Sequence, residues 1–154
     1  MKKLLTMFTF VAFAMLISIS GRCFAETYVP DSEYTLGGIS IGAEKSYIIS
    51  IYGQPTRTDG KGDAEHIYYG DGFHIFLHKG LVASMDVTED NGVGTTSGFK
   101  VGMHVSVALN KYGSAFKNQG VAGNFYATNG SRSTRRMRIT TDNRAVITKI
   151  QVSN

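Results

Sequence analysis

The sequence predicts an α+β fold of two tandem repeats, each a short helix followed by a three-stranded antiparallel meander, packed as helices on sheet. Three observations carry this expectation. Residues 39–53 read ISIGAEKSYIISIYG and residues 99–113 read FKVGMHVSVALNKYG, so Gly42, Ser46, Tyr52 and Gly53 recur sixty positions later as Gly102, Ser106, Tyr112 and Gly113. Within each of these segments apolar residues fall at helical spacing. After each come short runs of β-branched and aromatic residues, separated by glycine or by Asn and Asp. A residue repeated in both copies is more readily explained by shared folding than by one catalytic centre.

Residues 1–25 read as a secretory signal peptide. Lys2 and Lys3 precede an apolar stretch from Leu4 to about Ile19, and Cys23-Phe24-Ala25 supplies small residues at the −3 and −1 positions of a cleavage site. The apolar stretch is shorter than the roughly 20 residues a spanning helix needs. Arg22 before Cys23 argues against a lipidated cysteine. Cleavage after Ala25 leaves a chain without cysteine, and so without a disulfide framework, destined for the periplasm or the exterior. Residues 26–38 are a tail for which the sequence gives no structural expectation.

The first repeat spans 39–90. Ala43, Tyr47, Ile48, Ile51 and Tyr52 form one helical stripe, Gly53 closes the helix in a left-handed conformation, and Pro55 prevents its resumption. A polar loop over 56–65 follows. Then come three strand-like runs, at 66–69, 73–78 and 81–87, with Gly70-Asp71-Gly72 and Lys79-Gly80 as the turns. Residues 91–97 form the linker, and the second repeat spans 98–154. Its stripe is Met103, Val107, Ala108 and Tyr112, its stop is Gly113, and its strands are expected at 124–128, 137–140 and 146–152. Neither unit covers its own sheet edges, so two are expected to pair.

The formal charge of +4 is divided unevenly. Residues 26–95 hold eleven acidic and four basic side chains, a net −7, whereas residues 96–154 hold nine basic side chains against Asp142 alone, a net +8. Such opposition either draws the halves together or steers a charged partner. Removing Lys2, Lys3 and Arg22 with the leader brings the total to +1, which excludes nucleic acid as an expected partner.

A glycine, a short helix, a Tyr-Gly stop and a meander, duplicated behind a secretory signal, resemble the β-lactamase inhibitor protein family and the single-copy SmpA/OmlA outer-membrane assembly lipoproteins. The residues that carry the resemblance are Ile41-Gly42-Ala43 through Tyr52-Gly53-Gln54-Pro55 and Val101-Gly102-Met103 through Tyr112-Gly113, within residues 39–152. The resemblance implies a non-enzymatic protein-binding module that inhibits or scaffolds another envelope or secreted protein through its sheet face and hairpin tips. In the inhibitor an aspartate on the first hairpin enters the target, and Asp71 between Tyr69 and Phe73 stands at that place. The chain lacks the inhibitor's cysteine pairs and tryptophans.

The candidate partner-binding residues are therefore Tyr68, Tyr69, Asp71, Phe73, Arg135, Arg136 and Arg138. Tyr68 and Tyr69 are adjacent and point to opposite faces of a strand, and tyrosine offers large contact area with few rotors. Arg132, Arg135, Arg136 and Arg138 form the densest charge run, suited to an anionic surface such as glycan, lipid head groups or acidic protein. No catalytic residue, metal or cofactor is expected. An alternative reading takes Gly38-Ile39-Ser40-Ile41-Gly42 as the elbow of a secreted serine hydrolase, with Ser40 as nucleophile, but the aligned second copy places Lys100 there. His74 and His78 lie four apart, roughly 13 Å along a strand, too far to chelate one ion together; His66 completes that trio.

Overall fold

One antiparallel sheet of eight strands organises the chain. The computed structural model describes residues 28–113, 115–118, 124–128 and 134–154; the leader at 1–25, the first two tail residues, Arg132 and the second hairpin loop at 129–133 lie outside them. A two-stranded ladder, β1 (Thr35–Leu36) and β2 (Ile39–Ser40), precedes helix α1 (Lys45–Tyr52). Strands β3 (Arg57–Lys61), β4 (Ala64–Tyr69), β5 (Phe73–His78) and β6 (Leu81–Val87) follow, then helix α2 (Ser106–Tyr112) and strands β7 (Phe116–Asn118), β8 (Asn124–Thr128), β9 (Arg136–Thr141) and β10 (Ile147–Ser153). The spatial order is β3-β4-β5-β6-β10-β9-β8-β7. Two meanders thus meet at a central joint, where Val87 faces Ile150 and Ser84 faces Ser153.

Each meander has four strands, not three. Residues 57–61, read as loop, pair with β4 from Arg57↔Tyr68 to Lys61↔Ala64. All five are solvent-exposed, so this edge strand has no apolar face and no alternation to betray it. Strand β7 adds the matching edge on the far side.

The tail is also built into the fold. Val29, Tyr34 and Leu36 are fully buried and join the core with Ile39, Ile48, Ile67, Ile75, Met85, Ile139 and Ile150. Asp31–Glu33 form a short 3-10 turn in which Glu33 is buried. Its carboxylate accepts hydrogen bonds from the Ser97 hydroxyl and, at 3.3 Å, from the Ser97 amide, and Lys111 donates to the same hydroxyl. A buried carboxylate needs such partners, and this one ties the tail to the turn before α2.

Both helices lie on one side of the sheet. Their buried residues are Ile48 in α1 and Ala108 and Tyr112 in α2, while Tyr47, Ile51, Met103 and Val107 remain exposed. The sequence stripe was therefore rotated: its members Tyr47, Ile51, Met103 and Val107 face away from the core. Gly53 ends α1 at φ +76, with its amide on the Ile49 carbonyl. Gly113 does not repeat this, since it stays in the right-handed region at φ −48.

Gly42 and Gly102 have matching backbone surroundings, and Tyr52 and Tyr112 reach positions sixty residues apart. Gly42 and Gly102 sit at φ +86 and +90, where a side chain is disfavoured. The Gly42 amide donates to Val82 O and the Val82 amide to Ala43 O; in the same way Gly102 donates to Ile147 O and Ile147 to Met103 O. Tyr52 donates to Gly37 O at 2.8 Å, and the Tyr112 hydroxyl lies 3.4 Å from Ser97 Oγ, sixty positions beyond.

Candidate functional site

Alternation along the strands divides the sheet into two faces. Ile67, Phe73, Ile75, Met85, Val87, Met137, Ile139, Ile150 and Val152 point toward the helices and are buried. On the reverse face the cross-strand register aligns one row over six strands: Arg57, Tyr68, His74, Asp86, Gln151 and Arg138.

Contacts run along much of this row. The Arg57 guanidinium lies 3.9 Å above the Tyr68 ring, and Tyr68 stacks on His74 at 4.6 Å between centroids. Cation–π and stacked pairs of this kind add to burial alone. His74 Nδ1 meets Asp86 Oδ1 at 3.2 Å, and Lys149 Nζ reaches Asp86 Oδ2 at 3.3 Å. His66 joins from the neighbouring row, with its Nδ1 2.8 Å from His74 Nε2, and also packs on Phe76. Since Asp86 can only accept, Nδ1 of His74 carries the proton toward it; in the neutral ring Nε2 then accepts from His66. The result is a fixed chain, Lys149 to Asp86 to His74 to His66, which holds the aromatic rings in place. Among the described residues no group of three or more His, Cys, Asp or Glu is arranged to hold a metal ion.

Two depressions open on this face. One, of about 490 Å³, is lined by Thr56, Arg57, Tyr68, Gly70 and Asp71. The other, of about 180 Å³, is lined by Arg136, Arg138, Gln151 and Ser153. The structure thus brings Tyr68 and Asp71 together at one end and Arg136 and Arg138 at the other.

Three of the candidate residues lie elsewhere. Phe73 is 1 % exposed and packs in the core beside Tyr52, so it offers no surface to a partner. Tyr69, on the helix side, is half-buried against Tyr52 and Phe73, and its hydroxyl donates to Gly53 O at 2.8 Å. Burial raises the pKa of both Tyr69 and Tyr52. Arg135 sits just before β9 and pairs with Asp31 of the tail at 3.1 Å. Both residues of that pair border Tyr34, whose pKa is pushed up to about 12, mainly by burial and then by the Asp31 charge.

From sequence, His66, His74 and His78 compare as a metal trio, His74 with His78 along one strand, and both the pairing of His66 with His74 and the part of Asp86 escape that reading. The signal was present in the Gly70-Asp71-Gly72 turn, which sets Tyr69 against Phe73 and so Tyr68 against His74. Arg57 carried no signal because its strand reads as loop.

Ser40 stands in a two-residue strand, exposed, with Thr35 as its pairing neighbour. Among the described residues no acid or base hydrogen-bonds to its hydroxyl. Ser97 is more polar in its surroundings, but its proton goes to Glu33 and its lone pair receives Lys111.

No family model and no curated protein matches the chain. Solved structures do. A cysteine-rich secretory protein from Staphylococcus aureus subsp. aureus Mu50 aligns with a TM-score of 0.57 at 13 % identity, over 84 % of this chain and 48 % of that one. An extracellular protein containing a SCP domain, from Bacillus anthracis str. Ames, aligns at 0.53 and 11 % identity, over 74 % and 44 %. At this identity the likeness is one of fold, and the chain spans about half the length of either protein.

Proposed function

We propose that the chain is an exported, non-enzymatic protein-binding module, built from two copies of one helix-and-four-strand unit, that inhibits or scaffolds a secreted or envelope protein through the open face of its sheet. The observation that carries this reading is the run from Arg57 through Tyr68 and His74 to Asp86 and Lys149, in which side chains on the reverse face of an antiparallel sheet are pre-ordered by one another. Rigid aromatic anchors flanked by charge are what interface centres use. Binding costs less when such side chains are ordered beforehand.

The two-copy element is supported by the sixty-residue spacing of Gly42 and Gly102, with matching backbone hydrogen bonds, and of Tyr52 and Tyr112, whose hydroxyls reach residues 37 and 97. Export to the periplasm or the exterior is supported by the composition of residues 1–25. The secretory and extracellular descriptions of the two structural neighbours point the same way.

A photo-reactive amino acid placed at Tyr68 or, separately, at Tyr47 on the exposed side of α1 tests the reading in the native envelope. Cross-links to one protein from position 68 are expected, and Asp71→Ala weakens them without a change in melting temperature. Cross-links from position 47 alone would transfer the interface to the helix layer. Stoichiometric labelling by a fluorophosphonate, lost in Ser40→Ala, would replace the module with a hydrolase.

A further inference from the structure

The two ends of the open face differ in chemistry. At the β9–β10 end, Arg136 and Arg138 are two residues apart on one strand, roughly 7 Å, and face Ser153 and Gln151 across roughly 5 Å. Two guanidinium groups, an amide and a hydroxyl thus border one pocket of about 180 Å³. Arg136 is exposed and its guanidinium has no hydrogen-bond or ion-pair partner among the described residues, so an anion that reaches this side chain breaks no bond of its own. Guanidinium presents a planar fork of donors that fits two oxygens at once.

We propose that this pocket is an oxyanion site that receives a carboxylate side chain from an extended acidic segment of the partner protein. The inference rests on the binding-module reading and gives the partner a chemistry. A peptide is favoured over a lipid surface by the rest of the face. Asp86 and Asp71 lie on it or at its rim, interleaved with Arg57, Arg136, Arg138 and Lys149, so the charge of the face is mixed and does not form the uniformly cationic surface that seats on an anionic plane. The complementary feature is local: a cationic pocket at one end and the stacked Tyr68, His74 and His66 at the other.

The sheet also sets a spacing. Tyr68 on β4 and Arg138 on β9 are separated by four strand steps, roughly 19 Å at the usual inter-strand distance. An extended chain crossing the strands covers that span in roughly six residues. The favoured ligand therefore carries an aspartate or glutamate about six positions from an aromatic or aliphatic residue.

The test uses the mature chain and three probes: inorganic phosphate, a terminally blocked peptide with glutamate six residues from a leucine, and its glutamine counterpart. Backbone amide shifts and titration calorimetry provide the readouts. Phosphate and the glutamate peptide are expected to shift the amides of 136, 138, 151 and 153. The glutamine peptide is expected to bind roughly tenfold or more weakly, and Arg136→Gln to erase that difference. Tyr68→Ala should weaken both peptides alike and leave phosphate unaffected. Equal affinity for the two peptides, or no shift in the four amides, overturns the site. Flotation with phosphatidylglycerol vesicles that is lost in Arg136→Gln, with both peptides silent, overturns it in favour of a membrane. The wider reading falls on the position-68 cross-link instead, so either can fail alone.

Discussion

The first half of the molecule, α1 with β3 to β6, and the second, α2 with β7 to β10, each run from a helix into four strands and differ in their exposed chemistry. Several positions that recur at the sixty-residue spacing are turned inward or into the backbone. Ile39 and Phe99 are buried, Gly42 and Gly102 hold the same left-handed conformation, and Tyr52 and Tyr112 each bond to the turn sixty residues apart. On the open face the described side chains differ. The first half presents Tyr68, His66, His74 and Phe76, and the second presents Arg136, Arg138 and Lys149. What is common to the halves builds the sheet, and what distinguishes them makes its two ends unlike.

The largest effects should come from the shared core. Ile39→Ala is expected to cost about 2–5 kcal/mol and Phe99→Ala about 3–5 kcal/mol, the ranges for emptying a fully packed site. Phe99 also loses its edge-on contact with Tyr112, whose ring centroid is 6.0 Å away. Chemical denaturation measures both. If one substitution is silent while the other unfolds the chain, the halves do not share one supporting frame.

Next come the glycines. Gly42→Ala and Gly102→Ala each force a side chain into left-handed backbone, at about 1–2 kcal/mol. A Cβ at Gly42 meets nothing within 4 Å, whereas at Gly102 it comes 3.3 Å from the Asp90 carboxylate. The second substitution should therefore be slightly the more costly, and removing Asp90 in the same chain should bring the two level. Unequal costs that persist without Asp90 would break the equivalence of the two positions.

Where the halves diverge internally, smaller effects follow. Tyr34 has Gly94 as its counterpart sixty residues on, and its hydroxyl is buried without a hydrogen-bond partner among the described residues. A folded-state pKa raised from the ordinary 10 to about 12 means that the neutral phenol is favoured by folding. Its contribution is complete below pH 10 and is lost as the pH rises toward 12. Tyr34→Phe should shrink the alkaline fall in stability, leaving the part due to Tyr52 and Tyr69. At neutral pH it should change stability by less than about 1 kcal/mol, in the stabilising direction. An unchanged alkaline limb would place the titration elsewhere.

How much of this was legible follows from the same physics. Strands β4 to β6 and β8 to β10 stood out because their alternation is bounded by glycine or by Asn and Asp. The helices stood out by period, though not by phase: an eight-residue helix shows too few turns to fix which side of Tyr47 and Ile48 faces inward. Strand β3 was hidden because an edge strand exposed throughout has no pattern. The tail was hidden because Val29, Tyr34 and Leu36 are buried by contacts with distant parts of the chain. For the site, the sequence offered Tyr68, Asp71, Arg136 and Arg138 as separate candidates, and only strand order could place them on one surface.

The turn before the last strand of each half gives the finest contrast. In the first half it is Lys79-Gly80, both at positive φ, with glycine meeting the conformational demand. In the second, Ala145 takes φ +60 without that freedom, and Asp142 holds the loop instead, its Oδ1 accepting from the Arg144 and Val146 amides at 2.9 Å each. Those bonds, the Val146 one foremost, lower the Asp142 pKa. A depressed carboxylate stabilises the fold above the ordinary aspartate range and loses that contribution as the pH falls through its folded value. Ala145→Gly should therefore stabilise by up to about 1 kcal/mol by relieving left-handed strain, while Gly80→Ala should destabilise. Asp142→Asn should flatten the acid limb of the stability profile even where Ala145→Gly is present, because backbone strain and the carboxylate's bonds are separate supports. If Ala145→Gly weakens the chain, the second turn is held by the alanine methyl rather than in spite of it, and the halves part ways here too.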